Sequence, residues 1–122
     1  WQLRGKPHVL LLALGANDGL RGVDLEATRR NLDEIVRLAR AAGLRILIAG
    51  MKLPPNYGEA YTRAFESMYV ELAAAHGLPR IPFLLDGVAG QGELNLPDGI
   101  HPNARGHAIV AETVYRHLRP LL

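Results

Sequence analysis

The residues Asp98-Gly99-Ile100-His101-Pro102 combine types and spacing that can do chemistry. A carboxylate and an imidazole three positions apart meet if the backbone between them turns, and Gly99, with no Cβ, turns at little cost. Pro102 fixes its own φ and pushes His101 out of helical backbone, which places His101 on a loop just ahead of a helix. A carboxylate held against one ring nitrogen leaves the other free to accept a proton and stabilises the imidazolium that results. Asp98 and His101 are therefore candidates for an orienting acid and a general base. Taken alone, the five residues also suit a polar turn that caps the next helix.

A second candidate is Gly15-Ala16-Asn17-Asp18-Gly19, which breaks the apolar run His8 to Leu14. It reads as a polar loop at the carboxyl end of a strand, where open α/β sheets bind ligands. Asn and Asp also bond their own backbone readily, so a plain turn is the competing reading. Asp18 is expected to brace this loop rather than serve as a second acid. The only serine, Ser67, lies mid-helix between Glu66 and Met68 without a strand–turn context, and is read as a surface or packing residue. His107 belongs on a helix surface, and His8, His76 and His117 carry no motif and read as structural or solvated. Asp98, His101 and His107 have ligand chemistry, but their spacing fits no familiar metal site, so no metal is expected. Gly87, Gly90 and Gly92 lack the strand–glycine–helix order of a nucleotide loop. No cofactor is expected.

Positioning these groups falls to a chain of 122 residues, enough for one domain or part of one. Apolar residues make up 48% and charged residues 21%, and the mean hydropathy is near zero. That is the composition of a folded globular chain, neither disordered nor membrane-spanning. The run Val9 to Leu14 is far too short to cross a bilayer, so no stable membrane insertion is expected. The opening Trp1-Gln2-Leu3-Arg4 lacks the pattern of a signal peptide. Net charge is +2 and the pI about 9.3, with basic residues scattered, which points away from nucleic acid and anionic membrane. The absence of cysteine excludes disulfides, thiolate metal sites and a cysteine nucleophile, and leaves the compartment open.

Residues 1–7 read as a helix tail or lead-in turn, and residues 8–14 as a strand buried on both faces. Asp24 is placed as N-cap of a helix over residues 25–42, with Leu25, Leu32, Ile35, Val36 and Ala39 on one face and Gly43 ending it. Residues 45–51 form a second strand, followed by a loop over Lys52–Gly58. A helix over residues 59–75 carries the stripe Ala64, Phe65, Met68, Leu72 and Ala75 and ends at Gly77. Residues 81–85 form a third strand, and residues 86–96 are irregular with a single turn around Val88. The last helix runs from Ala104 to Leu118, with Ile109, Val110, Val114 and Leu118 apolar. This βαβαβα order predicts a parallel sheet with helices on both faces, connected by right-handed crossovers. The first strand is apolar enough to want neighbours on both edges, and the sequence supplies only one.

Gly15-x-Asn17-Asp18 after a strand and Asp98-x-x-His101-Pro102 before the last helix resemble the SGNH (GDSL) hydrolase family. The longer stretches Leu14–Gly22 and Leu53-Pro54-Pro55-Asn56-Tyr57-Gly58 are similar to its branch of bacterial acyl-CoA thioesterases, lysophospholipases and arylesterases. The resemblance implies a flavodoxin-like three-layer α/β/α sandwich with a five-stranded parallel sheet. It implies Asp98 and His101 as triad acid and base, and Asn17 as a side-chain donor of the oxyanion hole. Gly15, Leu20, Leu53, Pro54 and Tyr57 match segments that line the family's acyl pocket. Leu20, Leu53, Pro54 and Tyr57 serve either substrate contact or rim packing. The family's Gly-Asp-Ser nucleophile block has no counterpart here. Residues 1–122 are thus expected to be the carboxyl-terminal portion of a single such domain, with its first strands and its serine on a companion segment or chain. The expected substrate is an acyl ester or thioester, and relatives in this branch favour periplasm or secretion. The alternative is an inactive fragment, or one half of a split protein acting as an interaction module.

Overall fold

A computed structural model describes residues 2–122, and Trp1 lies outside the described residues. A short 3-10 turn over Gln2–Gly5 leads in, as the lead-in reading expected. The run that follows leaves no polar face, and Val9–Leu12 forms β1. This strand stops two residues before the apolar run does. Leu14 is 55% exposed, and its carbonyl accepts the Tyr69 hydroxyl at 2.9 Å instead of joining the sheet. Where a loop was expected, Ala16–Leu20 forms a single helical turn and a half, α1. Asp24 caps α2 (Leu25–Ala41), its carboxylate accepting from the Glu26 N–H at 3.1 Å. The helix buries Leu32, Val36 and Ala39 as its 3.6-residue period requires, together with Thr28.

β2 (Arg45–Ala49) is the central strand and pairs in parallel with β1, Leu12 facing Ile48. α3 (Glu59–His76) ends at Gly77, whose φ of 61° is the left-handed conformation glycine adopts without strain. Its buried stripe is Phe65, Met68, Tyr69, Leu72 and Ala73. The expected Ala64 and Ala75 are exposed, because the tyrosine ring, not the flanking alanines, reaches the sheet. β3 is only Arg80–Ile81, paired in parallel with β2. The expected continuation to residue 85 fails at Pro82, which has no N–H for the ladder. The chain turns back instead, and the Leu84 N–H donates to the Gly50 carbonyl at 2.9 Å. Beyond Ala49 the Gly50 N–H still donates to the Ile81 carbonyl at 2.8 Å, and Gly50 lies so close to the Ile81 and Pro82 carbonyls that a Cβ there would collide with both. α4 (Ala104–Leu118) closes the fold.

The layers follow from strand alternation. Ile46 and Ile48 point to the face covered by α2 and α3, where Leu12, Leu32, Val36, Phe65, Met68, Tyr69 and Leu72 form the larger core. Leu47 and Ala49 point to the opposite face with Ile81, against Val114 and Leu118 of α4. Burying each such aliphatic side chain is worth roughly 1.5–3 kcal/mol. The result is a three-layer α/β/α arrangement with three strands among the described residues, in the order β1-β2-β3; the resemblance placed the other strands of its five-stranded sheet outside this chain. β1, paired only with β2 among the described residues, keeps Val9, Leu10 and Leu11 half-buried. None of the described helices is long and apolar enough to cross a membrane.

Candidate active site

Residues 94–103 form a closed loop between a 3-10 turn (Gly92–Leu94) and the start of α4. Its two strands of chain meet in an antiparallel bridge between Asn95 and Pro102. The Leu96 N–H donates to the His101 carbonyl at 2.8 Å, and the Asn103 N–H to the Leu94 carbonyl at 2.9 Å. Asn95 anchors the loop to the protein by donating its amide to the Val88 and Gln91 carbonyls, each at 2.8 Å. Asn103 donates its amide to the Glu93 carbonyl at 2.9 Å and accepts the Gly106 N–H at 3.0 Å, so one side chain both ties the loop and caps α4.

Inside this loop Asp98 serves two purposes. Oδ1 accepts the Ile100 and His101 N–H groups at 2.9 and 3.0 Å, which fixes the turn, and Gly99 takes the φ of 71° that the turn needs. Oδ2 lies 2.6 Å from Nδ1 of His101. The ring bond, then the two backbone N–H groups, hold the Asp98 carboxyl down at about 2, well below its ordinary range. An ionised Asp98 bonded to Nδ1 leaves Nε2 as the proton-accepting nitrogen, and Nε2 takes no partner among the described residues. The pair is open to water, with the His101 side chain 70% and the Asp98 side chain 42% exposed.

His101 forms one wall of a cleft of about 630 Å³ at the carboxyl ends of the strands. Asn17 and Leu20 of α1 line it from across, joined by Met51 to Pro55 after β2 and by Phe83, Leu85 and Ala89 after β3. The lining is mostly apolar. Asn17 is exposed, and its side-chain amide takes no hydrogen-bond partner among the described residues. α1 owes its position to tertiary packing rather than propensity. Gly19 sits flat on the buried Phe65 ring, where a Cβ would stand 2.8 Å from Cδ2 and 2.9 Å from Cζ. Asp18 braces the segment, accepting the Thr28 hydroxyl at 2.9 Å.

The structure thus brings Asn17, Leu20, Leu53, Pro54 and His101 to one cleft, with Asp98 directly behind His101. Two residues matched to acyl-pocket segments, Tyr57 and Gly15, stand beside the cleft, Tyr57 as the rim packing that was its other reading. Tyr57 donates its hydroxyl to the Leu20 carbonyl at 2.8 Å, pinning the Pro55–Tyr57 turn to α1. Gly15, with φ of 102°, precedes α1 and faces the Tyr69 hydroxyl, 2.7 Å from where its Cβ would be. Both shape the cleft without lining it. Sequence reasoning missed Lys52, Phe83 and Ile100, which come to the cleft only through the fold. His107 lies exposed on α4, and no group of three potential metal ligands forms among the described residues. His76 proves to be partnered: its Nε2 is 2.6 Å from Asp33 across the α2–α3 interface, and Arg37 bonds the other Asp33 oxygen at 2.8 Å.

The sequence model of the GDSL-like lipase/acylhydrolase family matches residues 1–109. The chain is 40% identical over 117 residues to an esterase, TesA, of Pseudomonas aeruginosa, covering 96% of this chain and 58% of that protein. It is 35% identical over 117 residues to a thioesterase 1/protease 1/lysophospholipase L1 of Escherichia coli, covering 96% of this chain and 56% of that one. Among solved structures, a crystal structure of TesA superposes with a TM-score of 0.94 at 39% identity, covering 99% of this chain and 68% of that one. The chain therefore spans little more than half the length of the curated relatives it matches.

Proposed function

Because this chain belongs to the GDSL-like lipase/acylhydrolase family, we propose that it is the base-bearing portion of a serine esterase or thioesterase acting on acyl esters or acyl thioesters. The observation that carries this reading is the 2.6 Å contact of Asp98 with Nδ1 of His101, on the wall of an apolar cleft that Asn17 also lines. In this reading a serine hydroxyl from a Gly-Asp-Ser segment outside the chain attacks the substrate carbonyl carbon, and its proton passes to Nε2 of His101. Asp98 stabilises the imidazolium. The Asn17 amide donates to the oxyanion as it forms, and a donor in that role is typically worth about 3–4 kcal/mol of transition-state stabilisation. The imidazolium then returns its proton to the departing alcohol or thiol. Water, deprotonated by the same Nε2, releases the acid and restores the serine.

The test joins the portion of the Pseudomonas aeruginosa esterase that this chain does not cover to residue 1, in one polypeptide, and follows p-nitrophenyl ester and acyl thioester hydrolysis. The fusion should hydrolyse both, either part alone should be silent, and His101→Ala in the fusion should cut kcat by orders of magnitude with the fold kept. A folded but silent fusion would favour an interaction module instead, and undiminished turnover in the His101→Ala fusion would remove the base assignment.

A further inference from the structure

The Asn17 side chain takes no partner among the described residues, and α1, which carries it, is only five residues long. A helix that short does not hold itself, so whatever supports residues 14–23 decides where the amide points. The support is one ridge of α3. Tyr61, Phe65 and Tyr69 follow one another at intervals of four and share a helix face. Tyr69 donates its hydroxyl to the Leu14 carbonyl at 2.9 Å, Gly19 rests on the Phe65 ring, and Tyr61 donates its hydroxyl to the Val23 carbonyl at 2.8 Å. The Phe65 and Tyr69 rings are buried and meet edge to face, centroids 5.3 Å apart, which stiffens the ridge.

The contacts differ in which end of the segment they hold. Tyr61, and Tyr57 through the Leu20 carbonyl, hold the chain after Asn17, whereas Tyr69 holds it before Asn17. Asp18 is tied to Thr28, but that tie runs through two rotatable side chains, while the Leu14 carbonyl is backbone. The Tyr69 oxygen also stands 2.7 Å from where a Cβ on Gly15 would be. The Leu14 carbonyl and the Gly15 Cα belong to one planar peptide link, so this single oxygen sets the plane from which α1 starts. Burial, then the Asp18 charge, push the hydroxyl far above the ordinary tyrosine range, and it stays a donor at any working pH.

We propose that Tyr69 is a positioning residue for the Asn17 amide: its hydroxyl fixes the Leu14–Gly15 link, and through α1 that link sets how Asn17 meets the developing oxyanion. The assignment rests on the esterase reading for its chemistry, but the placement of α1 is measurable without turnover.

The test is Tyr69→Phe, made both in the 122-residue chain and in the fusion. The variant keeps the buried ring and its contact with Phe65, and Leu14 is exposed, so water can take over its carbonyl and the fold is kept. In the 122-residue chain, residual dipolar couplings of the N–H groups of residues 16–19 should show α1 turned relative to α3, with those of β2 unchanged. Tyr61→Phe, which breaks a solvent-exposed bond at the far end, should turn it much less. In the fusion, Tyr69→Phe should lower kcat about tenfold with KM little changed. That lies below the roughly 10²–10³-fold cost of losing such a donor outright. With Asn17→Ala already present, Tyr69→Phe should cost no further kcat, because no amide is left to misplace, whereas a residue that only stabilises the fold would act equally in both backgrounds. The proposal is overturned if the couplings stay put in Tyr69→Phe, if Tyr61→Phe shifts them as far, if KM rises in place of the fall in kcat, or if the loss of kcat is the same with and without Asn17→Ala. A silent fusion with α1 turned by Tyr69→Phe would sink the hydrolase reading and leave Tyr69 as what places Asn17, and hydrolysis with α1 unmoved would sink only the role of Tyr69.

Discussion

Gly106 offers a test in which two physical effects predict opposite signs. It is the third residue of α4, and replacing glycine by alanine inside an exposed helix ordinarily stabilises by about 1 kcal/mol. Here an added Cβ would run into the Leu94 carbonyl oxygen and stand 2.9 Å from Cβ of Pro102 and 3.1 Å from the Val88 side chain. The carbonyl cannot retreat freely, because it accepts the Asn103 N–H at 2.9 Å, and Val88 is fully buried. Overpacking of this kind costs about 1–3 kcal/mol, and rigid neighbours place it in the upper part of that range. Subtracting the helix gain leaves Gly106→Ala about 1–2 kcal/mol less stable. At about 3–5 °C per kcal/mol for a domain of this size, Tm should fall by about 3–10 °C in thermal unfolding followed by circular dichroism. The amide shifts of Asn95, His101 and Asn103 should move with it, since the clash pushes on the loop that holds the base. A rise in Tm of about 3–5 °C, the helix-propensity result alone, would refute the packing argument.

The charge of Asp98 should respond to its histidine. Its carboxyl carbon should titrate near 2 in the intact chain, and His101→Ala should bring the midpoint back toward 3.8, so an unchanged midpoint would show that the ring bond is not what depresses it. Because the folded value is the lower one, ordering of the loop by this bond is complete above pH 3.8 and is lost as pH falls through about 2. Asp33 is likewise held below its ordinary value, first by the His76 ring and then by Arg37 and Arg29. Asp33→Asn should lower stability by about 0.5–1 kcal/mol at neutral pH. That difference should shrink as acid protonates the wild-type carboxylate below the ordinary carboxylate range, and equal Tm values at neutral pH would remove the tie between α2 and α3.

Local chemistry made part of this molecule legible in advance. Asp24 announces α2 because its short carboxylate can reach a free N–H, and the glycine at 77 announces the end of α3. Asp98, Gly99 and Pro102 set the His101 turn because every constraint acts within five residues. What escaped reading depends on groups far apart in the chain. β1 ends early because Tyr69, 55 residues away, takes the Leu14 carbonyl. Asn17 and Asp18 look like turn formers, yet α1 forms because Phe65 accommodates only a glycine at position 19 and Thr28 holds Asp18. Lys52 is an ordinary loop lysine in sequence, and becomes the charge of the cleft only when β2 and β3 deliver it beside Phe83. Tyr57 matched a substrate segment, but its hydroxyl is spent on a backbone carbonyl.

The loop that carries the base is fastened by a few hydrogen bonds of Asn95 and Asn103, while the apolar core lies elsewhere, under α2 and α3. Regions held by exposed polar contacts open at lower free energy than the core they adjoin. On that principle the exposed part of the loop, residues 95–101, would open at lower free energy than the paired strands, while Leu94 and Asn103 stay fixed at the start of α4. In mild denaturant the amides of residues 95–101 would exchange with solvent well before those of β2, and competence for proton transfer would follow the loop rather than the sheet.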